Sequence, residues 1–430
     1  MAFRVRLRNH RNILIAVAMW LGALGVVSGQ LQHPSRLRNH PAIGYATVPT
    51  RDPITELNRK LKAGELTLEA QGESGYLRSV LDALNVPVES QILVFSKTSF
   101  QAPRISPKNP RAIYFNDTVS VGWVRGGEVL EFAAQDPAQG TLFYTLSQDQ
   151  AVAPLFARTD ACVGCHSSSA THYVPGMFIG SVFPGVDGTL LYAGPAETTD
   201  HRTPFDLRWG GWFVTGTHRA DRHMGNAIAT NPTDVSAMVT PETTHVTSLE
   251  GRFDTKGYLS PHSDLVALLA IEHQATMLNL MTRIGWEARI GAKESGRSIE
   301  EAAVELVDYL LFVDEAPLPG PIAGTTAFAA TFAAQGPRDR RGRSLRDLDL
   351  QGRLLKYPCS YLIYSAPFDG MPAAAKAAVY ARLWEVLSGE ERRPVYRKLT
   401  AADRQAILEI LRDTKPDLPA YFDDAASTGP

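Results

Sequence analysis

The sequence predicts an α+β fold with a β-meander in its N-terminal half and helices in its C-terminal half. Between residues 112 and 146, short alternating runs are separated by Asn-Asp, Gly-Gly and Asp-Pro pairs, which is typical of consecutive antiparallel strands. From about residue 262 onward, apolar residues recur at helical spacing. The chain has 430 residues, 44 % of them hydrophobic, so it is long enough to bury a core without a disulfide scaffold.

The predicted elements follow from these patterns in chain order. Two helical patterns come first, over residues 52–71 and 76–84. The predicted strands cover residues 92–96, 112–115, 119–124, 129–133, 142–146 and 212–215, with a hairpin of 178–183 and 190–193 around the turn 185–188. The predicted C-terminal helices cover residues 264–288, 299–312, 374–387 and 401–413.

Residues 1–29 have the pattern of a secretory signal. Four arginines precede 15 uncharged residues, and small residues then precede a cleavage site before Gln30. Because 15 residues are short for a membrane span, we predict a cleaved signal and a periplasmic or secreted protein without a membrane span. An uncleaved N-terminal anchor is the alternative. The remaining chain has 39 basic and 45 acidic residues, a balance that argues against a nucleic-acid partner.

Cys162, Cys165 and His166 form a C-x-x-C-H motif, the attachment signature of c-type haem. Two thiols at this spacing reach the two vinyl groups of one porphyrin, and a histidine four residues after the first cysteine lies on the same side of a helical turn. Its imidazole then binds the iron from the proximal face. A zinc site would need two further ligands at short spacing, and a redox-active pair would follow a parallel strand, which the residues before Cys162 do not predict.

At these three residues the chain resembles c-type cytochromes. The resemblance implies one covalent haem c, with thioether bonds to both cysteines and axial ligation by the histidine, attached outside the cytoplasm. Class I cytochromes are small helical domains with the motif near the start, whereas here it lies 132 residues after the predicted cleavage site. Residues 106–117 and 208–212 are similar to a group of exported monohaem proteins without an assigned activity.

With the motif placed, the chain divides into four predicted segments. The signal occupies residues 1–29, and an α/β region with short antiparallel strands occupies 30–150. A haem c-binding region covers 151–290, and a helical region covers 291–430. At about 150 residues per domain, the length predicts two or three structural units.

The ligand on the opposite face of the iron decides the function, because an occupied sixth position favours electron transfer and an open one favours small-molecule chemistry. His273 is the first candidate, since it is the one imidazole in an apolar stripe of the predicted helix 264–288. The alternative is a core histidine bonded to a carbonyl or to a carboxylate elsewhere in the protein. Met177, His218 and His223 are further distal candidates.

Residues 200–226 are rich in groups that suit a haem pocket. The planar guanidinium of arginine donates paired hydrogen bonds to carboxylates, including haem propionates. The four arginines of this segment are therefore candidate propionate contacts. They are Arg202, Arg208, Arg219 and Arg222. The alternative is a loop with solvated charges.

Two other features have simpler interpretations. Cys359 has no partner once the other two cysteines bind haem, which predicts a buried inert thiol. Residues 338–356 are basic, which indicates either a docking surface for an acidic redox partner or a solvated loop.

The main hypothesis is therefore an exported monohaem c-type cytochrome in electron transfer with a redox partner protein. The first alternative is a haem-c enzyme, peroxidase- or oxygenase-like, with an open distal site served by His218 or His223 and a nearby arginine. The chain lacks the second motif of bacterial dihaem peroxidases. The second alternative is a haem-based gas-binding sensor.

Overall fold

A seven-stranded antiparallel sheet dominates the N-terminal half. The computed structural model describes residues 35–191, 197–231 and 238–423, so the predicted export signal lies outside the described residues. The strands are β1 (Ile92–Val94), β2 (Arg111–Phe115), β3 (Val119–Trp123), β4 (Val129–Asp136), β5 (Gly140–Ser147), β6 (Phe156–Arg158), β7 (Ile179–Ser181), β8 (Glu197–Thr199), β9 (Trp212–Phe213), β10 (Gly216–Thr217) and β11 (Ala323–Gly324). The sheet has the order β6-β5-β4-β3-β2-β1-β9, and β7 with β8 and β10 with β11 form two-stranded sheets.

The predicted meander is confirmed as β2 to β5, which pair consecutively. Its turns use the expected residues. The side chain of Asn116 accepts hydrogen bonds from the backbone of Thr118 and Val119 at 3.0 Å, which closes the turn between β2 and β3. Gly140 has φ +78°, a conformation that favours glycine, where β4 turns into β5.

Helices make up most of the C-terminal half, so the predicted α+β class is confirmed. The helices are α1 (Ser35–Arg38), α2 (Pro53–Lys62), α3 (Leu77–Ala83), α4 (Pro241–Thr244), α5 (Leu265–Ile290), α6 (Ala292–Ser295), α7 (Ile299–Leu310), α8 (Phe328–Ala334), α9 (Ala366–Asp369), α10 (Ala373–Ser388) and α11 (Ala401–Thr414). Helix α2 packs against β4 on one face of the sheet, and α5 packs against β5 on the other.

Helix α5 is the central element. Asp264 caps its start by accepting hydrogen bonds from Val266 and Ala267, and its other oxygen accepts from Thr325 and Thr326. By length and composition the helix could cross a membrane, but its most apolar stretch is buried completely within the protein. Because it is buried on almost every side, it packs against the sheet, α7 and α10 at once.

Two predicted elements differ from the structure. The helix predicted over residues 52–71 ends at Lys62, because Gly64 takes a left-handed conformation with φ +69°. The predicted hairpin keeps its turn, with one bridge between Pro184 and Leu190, but strand β7 pairs with β8. Residues 192–196, which include the end of that hairpin, lie outside the described residues.

Candidate haem site

The C-x-x-C-H motif forms a single helical turn immediately after the edge strand β6. The turn covers Ala161–Gly164, and the backbone N–H of His166 donates to the carbonyl of Cys162 at 3.0 Å. The side chain of Val163 is 2 % exposed and anchors the turn in the core beside the sheet. Cys165 is exposed and Cys162 half-buried, and both thiols are free. The turn therefore presents both cysteines while the residue between them holds it in place.

The ring of His166 is oriented by the backbone of a following loop. Its Nδ1 atom lies 2.9 Å from the carbonyl oxygen of Gly176. Because a carbonyl only accepts, Nδ1 carries the proton and Nε2 has a free lone pair, which is the tautomer an iron ligand needs. Burial lowers the pKa of His166, and the Gly176 carbonyl raises it in opposition, so burial favours the neutral ring.

Helix α5 holds that loop. The side-chain amide of Asn279 donates to the carbonyl of Met177 at 2.7 Å. Gly176 packs so closely against this side chain that an added Cβ would lie 1.9 Å from Oδ1 of Asn279. Only glycine fits there, and the contact links α5 to the loop that orients His166.

Aromatic side chains surround the ring of His166, which lies beside one face of the sheet. The rings of Phe143 and Phe178 each lie 5.2 Å from the ring of His166. The face of the sheet that carries Phe143 also carries Ile113 and Thr145, which stay half-exposed although they belong to inner strands. This part of the face is therefore less covered than the part under α5.

Arg111 and Glu131 are the charged residues of this face. Nε of Arg111 lies 2.9 Å from Oε2 of Glu131. Burial raises the pKa of the Cys162 thiol, Glu131 raises it further and Arg111 lowers it. Neither residue was predicted as part of the site. Arg111 could have been noticed, because it lies two residues before Ile113 and so on the same face of an inner strand, where a charged side chain is unusual.

These residues fit a covalently attached haem. The site combines two accessible thiols in one turn, a histidine with a free Nε2, and aromatic side chains beside it. Among the described residues, no group of three or more His, Cys, Asp or Glu side chains is arranged to hold a metal ion. A haem iron needs no such group, because the porphyrin supplies four of its ligands.

His273 is fully buried in the C-terminal core. Its Nδ1 atom lies 2.9 Å from Nδ1 of His201, and its Nε2 atom lies 2.7 Å from Oγ of Ser360. Tyr309 and Phe312 stack on the ring. Both ring nitrogens are thus engaged, and neither is available to iron in this arrangement. His201 and Ser360 were missed because only the tertiary fold brings them to α5.

Met177 lies next to the site, on the Nδ1 side of the His166 ring. It follows Gly176, whose carbonyl bonds Nδ1, whereas an iron bound to this histidine would be held by Nε2. Its half-buried side chain packs between the two main core clusters. To serve as the distal ligand it would have to pass around the histidine ring.

His218 and His223 lie together, with ring centroids 5.1 Å apart. Their Nε2 atoms donate to the same carbonyl, that of Thr244, at 3.2 and 2.9 Å. Their Nδ1 atoms accept from the backbone of Ala220 and Gly225. Burial lowers the pKa of His223 to about 3. Both histidines are neutral structural groups here, with no ring nitrogen left for a bound substrate.

Of the four arginines predicted to contact haem propionates, two have partners inside the protein and two are exposed. Arg208 is 1 % exposed and bonds Glu272 at 3.0 Å as well as two backbone carbonyls. Arg202 bonds Asp200 at 2.5 Å and lies over the ring of Tyr309. Both therefore have partners within the protein. Arg219 and Arg222 are exposed.

The basic segment at residues 338–356 is largely neutralised by ion pairs. Arg338 pairs with Asp347 at 3.1 Å, and Arg343 pairs with Asp339 at 2.6 Å. Cys359 is fully buried, and burial raises the pKa of its thiol well above the ordinary value. Such a thiol is unreactive near neutral pH.

A cavity of about 380 Å³ lies in the C-terminal half, and no sequence motif pointed to it. Phe312 forms part of its wall and stacks on His273, with ring centroids 4.2 Å apart. Glu315 also lines it and accepts a hydrogen bond from the backbone of Leu354 at 2.8 Å. Burial raises the pKa of Glu315 to about 7.

Comparison with protein-family models, with curated proteins and with solved structures found no match to this chain.

Proposed function

We propose that this chain is an exported monohaem c-type cytochrome, which binds one haem covalently and exchanges electrons with a redox partner protein. The observation that carries the proposal is the 2.9 Å contact between Nδ1 of His166 and the Gly176 carbonyl, beside two free thiols in the same turn. A histidine in this tautomer has its Nε2 lone pair free for a metal.

Each residue of the site has a separate task in this proposal. Cys162 and Cys165 hold the haem through thioether bonds, and His166 binds the iron through Nε2. When bound, the haem supplies an iron that takes up and releases one electron. Phe143 and Phe178 lie beside the histidine ring and keep water from it.

The state of His218 and His223 favours electron transfer over the enzyme alternative. A peroxidase- or oxygenase-like reaction needs a distal group that can accept a proton. Both rings instead accept and donate hydrogen bonds within the protein. The gas-binding sensor is the remaining alternative, and it differs from a cytochrome in having an open iron position.

Covalent attachment is tested by producing the full chain together with haem-attachment machinery and detecting haem on the denatured polypeptide. Wild type should retain haem, and Cys162→Ala with Cys165→Ala should lose it. Cys359→Ala is the matched control, because this thiol is buried and separate from the motif. A wild-type chain that carries no covalent haem overturns the proposal.

The iron's sixth position is tested by absorption spectra of the oxidised and reduced protein, with and without carbon monoxide. A low-spin spectrum that does not respond to carbon monoxide supports electron transfer. A high-spin spectrum that shifts with carbon monoxide overturns it in favour of the enzyme or sensor.

A further inference from the structure

The cavity of about 380 Å³ in the C-terminal half lies between three segments of the chain. Residues 311–317 follow helix α7, residues 349–358 form a second wall, and residues 395–399 lead into helix α11. Pockets for small organic molecules measure about 300–1,000 Å³, so the cavity is large enough for one small ligand. Most of its lining is apolar, and this part includes Phe312, Pro317, Pro358, Val395 and Leu399.

The backbone around the cavity is held in unfavourable conformations. Phe312 has φ +55° and Asp314 has φ +62°, and both residues line the cavity. Leu350, which follows the lining residue Asp349, has φ +57°. A left-handed conformation costs free energy in any residue other than glycine, above all in a bulky one, and such residues cluster at ligand sites. The strain at this cavity therefore favours a role in binding.

The unpaired charges of the cavity wall are negative. Oε1 of Glu315 accepts a hydrogen bond from the backbone of Leu354 at 2.8 Å, but Oε2 has no partner among the described residues. In the same described part of the chain, Asp314 forms no ion pair. Asp349 accepts hydrogen bonds from the backbone of residues 351–353 and keeps its negative charge. Three carboxylates thus line the cavity without a cationic side chain bound to them.

The two cations of the wall are already engaged. Nη2 of Arg353 lies 2.8 Å from Oδ1 of Asp403, which neutralises it. Nζ of Lys398 donates to the backbone carbonyl of Glu315 at 3.4 Å, and this lysine is exposed. A ligand that enters the cavity therefore meets an apolar surface on which negative charge exceeds positive charge.

We propose that this cavity binds a small organic ammonium ion, with the apolar body of the ligand against the lining and the ammonium group at Glu315. An ammonium group donates up to three hydrogen bonds and accepts none, so it suits an oxygen that lacks a donor. An anionic ligand would be repelled by the same carboxylates, and a neutral alcohol would gain only the hydrogen bond. Among the described residues that line the cavity, none belongs to the C-x-x-C-H motif, so binding there does not depend on haem.

The class of ligand is tested with three probes of similar size: phenethylamine, phenethyl alcohol and hydrocinnamate. They carry a cation, a neutral hydroxyl and an anion on the same kind of apolar body. Titration calorimetry of the full chain at pH 8 should show binding of the amine, about tenfold weaker binding of the alcohol and no binding of the acid. An amine that does not bind, or that binds no more tightly than the alcohol, overturns the proposal.

Variants of the wall separate charge from shape. Glu315→Gln keeps the size of the side chain and removes its charge, so it should weaken phenethylamine binding about tenfold and leave phenethyl alcohol unchanged. Val395→Trp should weaken the binding of both probes, because Val395 lines the cavity and is 40 % exposed, which leaves room for a larger side chain. Unchanged amine binding in both variants overturns the proposal.

Glu300→Gln is the matched control, because Glu300 is an exposed glutamate at the opposite end of α7 from the cavity. This variant should bind phenethylamine as tightly as wild type does. An equal loss of affinity in Glu300→Gln and Glu315→Gln would show a general effect of net charge and overturn the proposal.

The pH dependence of binding is a second readout, because burial raises the pKa of Glu315 to about 7. The charged groups that act on its carboxyl are Arg208, Arg353 and Asp349, and Arg208 is paired with Glu272 at 3.0 Å. From pH 6 to 8 the carboxyl ionises while the amine stays protonated, so phenethylamine binding should strengthen about tenfold. Glu315→Gln should show no such change. An equal change in the variant, or none in wild type, overturns the proposal.

Discussion

The Nδ1 atom of His166 lies 2.9 Å from the carbonyl oxygen of Gly176, and the backbone N–H of Gly176 returns a hydrogen bond to the carbonyl of His166 at the same distance. This reciprocal pair holds both the ring and the backbone of the histidine. Because Gly176 in turn packs on Asn279, the orientation of the ring depends on a helix that comes much later in the chain.

Gly176→Ala should disturb the site without removing any functional group. The added Cβ would meet Oδ1 of Asn279 at 1.9 Å, so the loop must move and the His166 hydrogen bond with it. We expect the free energy of unfolding to fall by ~1–3 kcal/mol and less haem to be retained. Gly164→Ala is the control within the motif, since its Cβ would meet no atom within 4 Å. Equal haem retention in the two variants would contradict this role for Gly176.

Asn279→Ala should weaken the support of the loop at Gly176 and Met177. It should also remove the atom that an added Cβ at Gly176 would meet. Removing the amide leaves the carbonyl of Met177 without its donor, which should cost ~1–3 kcal/mol of unfolding free energy. In an Asn279→Ala background, Gly176→Ala should cost less than it does alone. A double-mutant cycle by chemical denaturation measures this coupling. Additive effects would show that the two residues act separately.

His273→Ala should leave the absorption spectrum of the haem-loaded protein unchanged. Both nitrogens of His273 bond within the core, so the variant loses packing and hydrogen bonds rather than an iron ligand. We expect a loss of ~2–4 kcal/mol in unfolding free energy. Ser360→Ala should destabilise less, because it removes one partner of the ring. A change of spin state in His273→Ala would restore this histidine as the distal ligand.

Glu315→Gln should alter the pH dependence of stability. Burial raises the pKa of Glu315 to about 7 from its ordinary 4.5, so the folded state binds this proton more tightly than the unfolded state. Its contribution is therefore fully present below about pH 4.5 and is lost as the pH rises through 7. Relative to wild type, the variant should gain up to ~3 kcal/mol between pH 4.5 and 8. Urea unfolding at several pH values measures the difference, and a pH-independent difference would contradict the raised pKa.

The three thiols should react in two classes in the haem-free, full-length protein. Cys162 and Cys165 are accessible to different degrees, whereas Cys359 is fully buried. Mass spectrometry after brief alkylation should find two modified cysteines in the native protein and three after denaturation. Rapid labelling of Cys359 under native conditions would contradict the packing of the C-terminal core.

The strands of the meander and the long C-terminal helices could be predicted because each has its own periodicity and its own turn residues. The strand pattern at 129–133 matches β4, and the stripe that contains Val266 and Ile284 matches α5. The partner of β7 could not be predicted in this way, since pairing with Glu197–Thr199 depends on the fold and not on a nearby turn. The division into four segments stays a prediction.

For the site, the motif identified the groups that could hold haem but not what surrounds them. Nothing in the sequence near His166 indicates that Asn279 holds its loop, because that contact forms only when α5 packs on the sheet. The apolar stripe predicted that His273 lies on a buried face of α5, and the side chain is indeed fully buried. The stripe left open whether the ring binds iron or bonds to other groups in the core. Its partners, His201 and Ser360, come from segments far away in sequence.

The position of Asn279 on α5 also sets an order of assembly. A chain made from its N-terminus presents the motif 113 residues before Asn279, so the cysteines emerge while the loop that orients His166 is still unsupported. Completion of α5 then closes the loop on the histidine. A shortened chain that stops before residue 265 would keep the whole motif and never acquire its support.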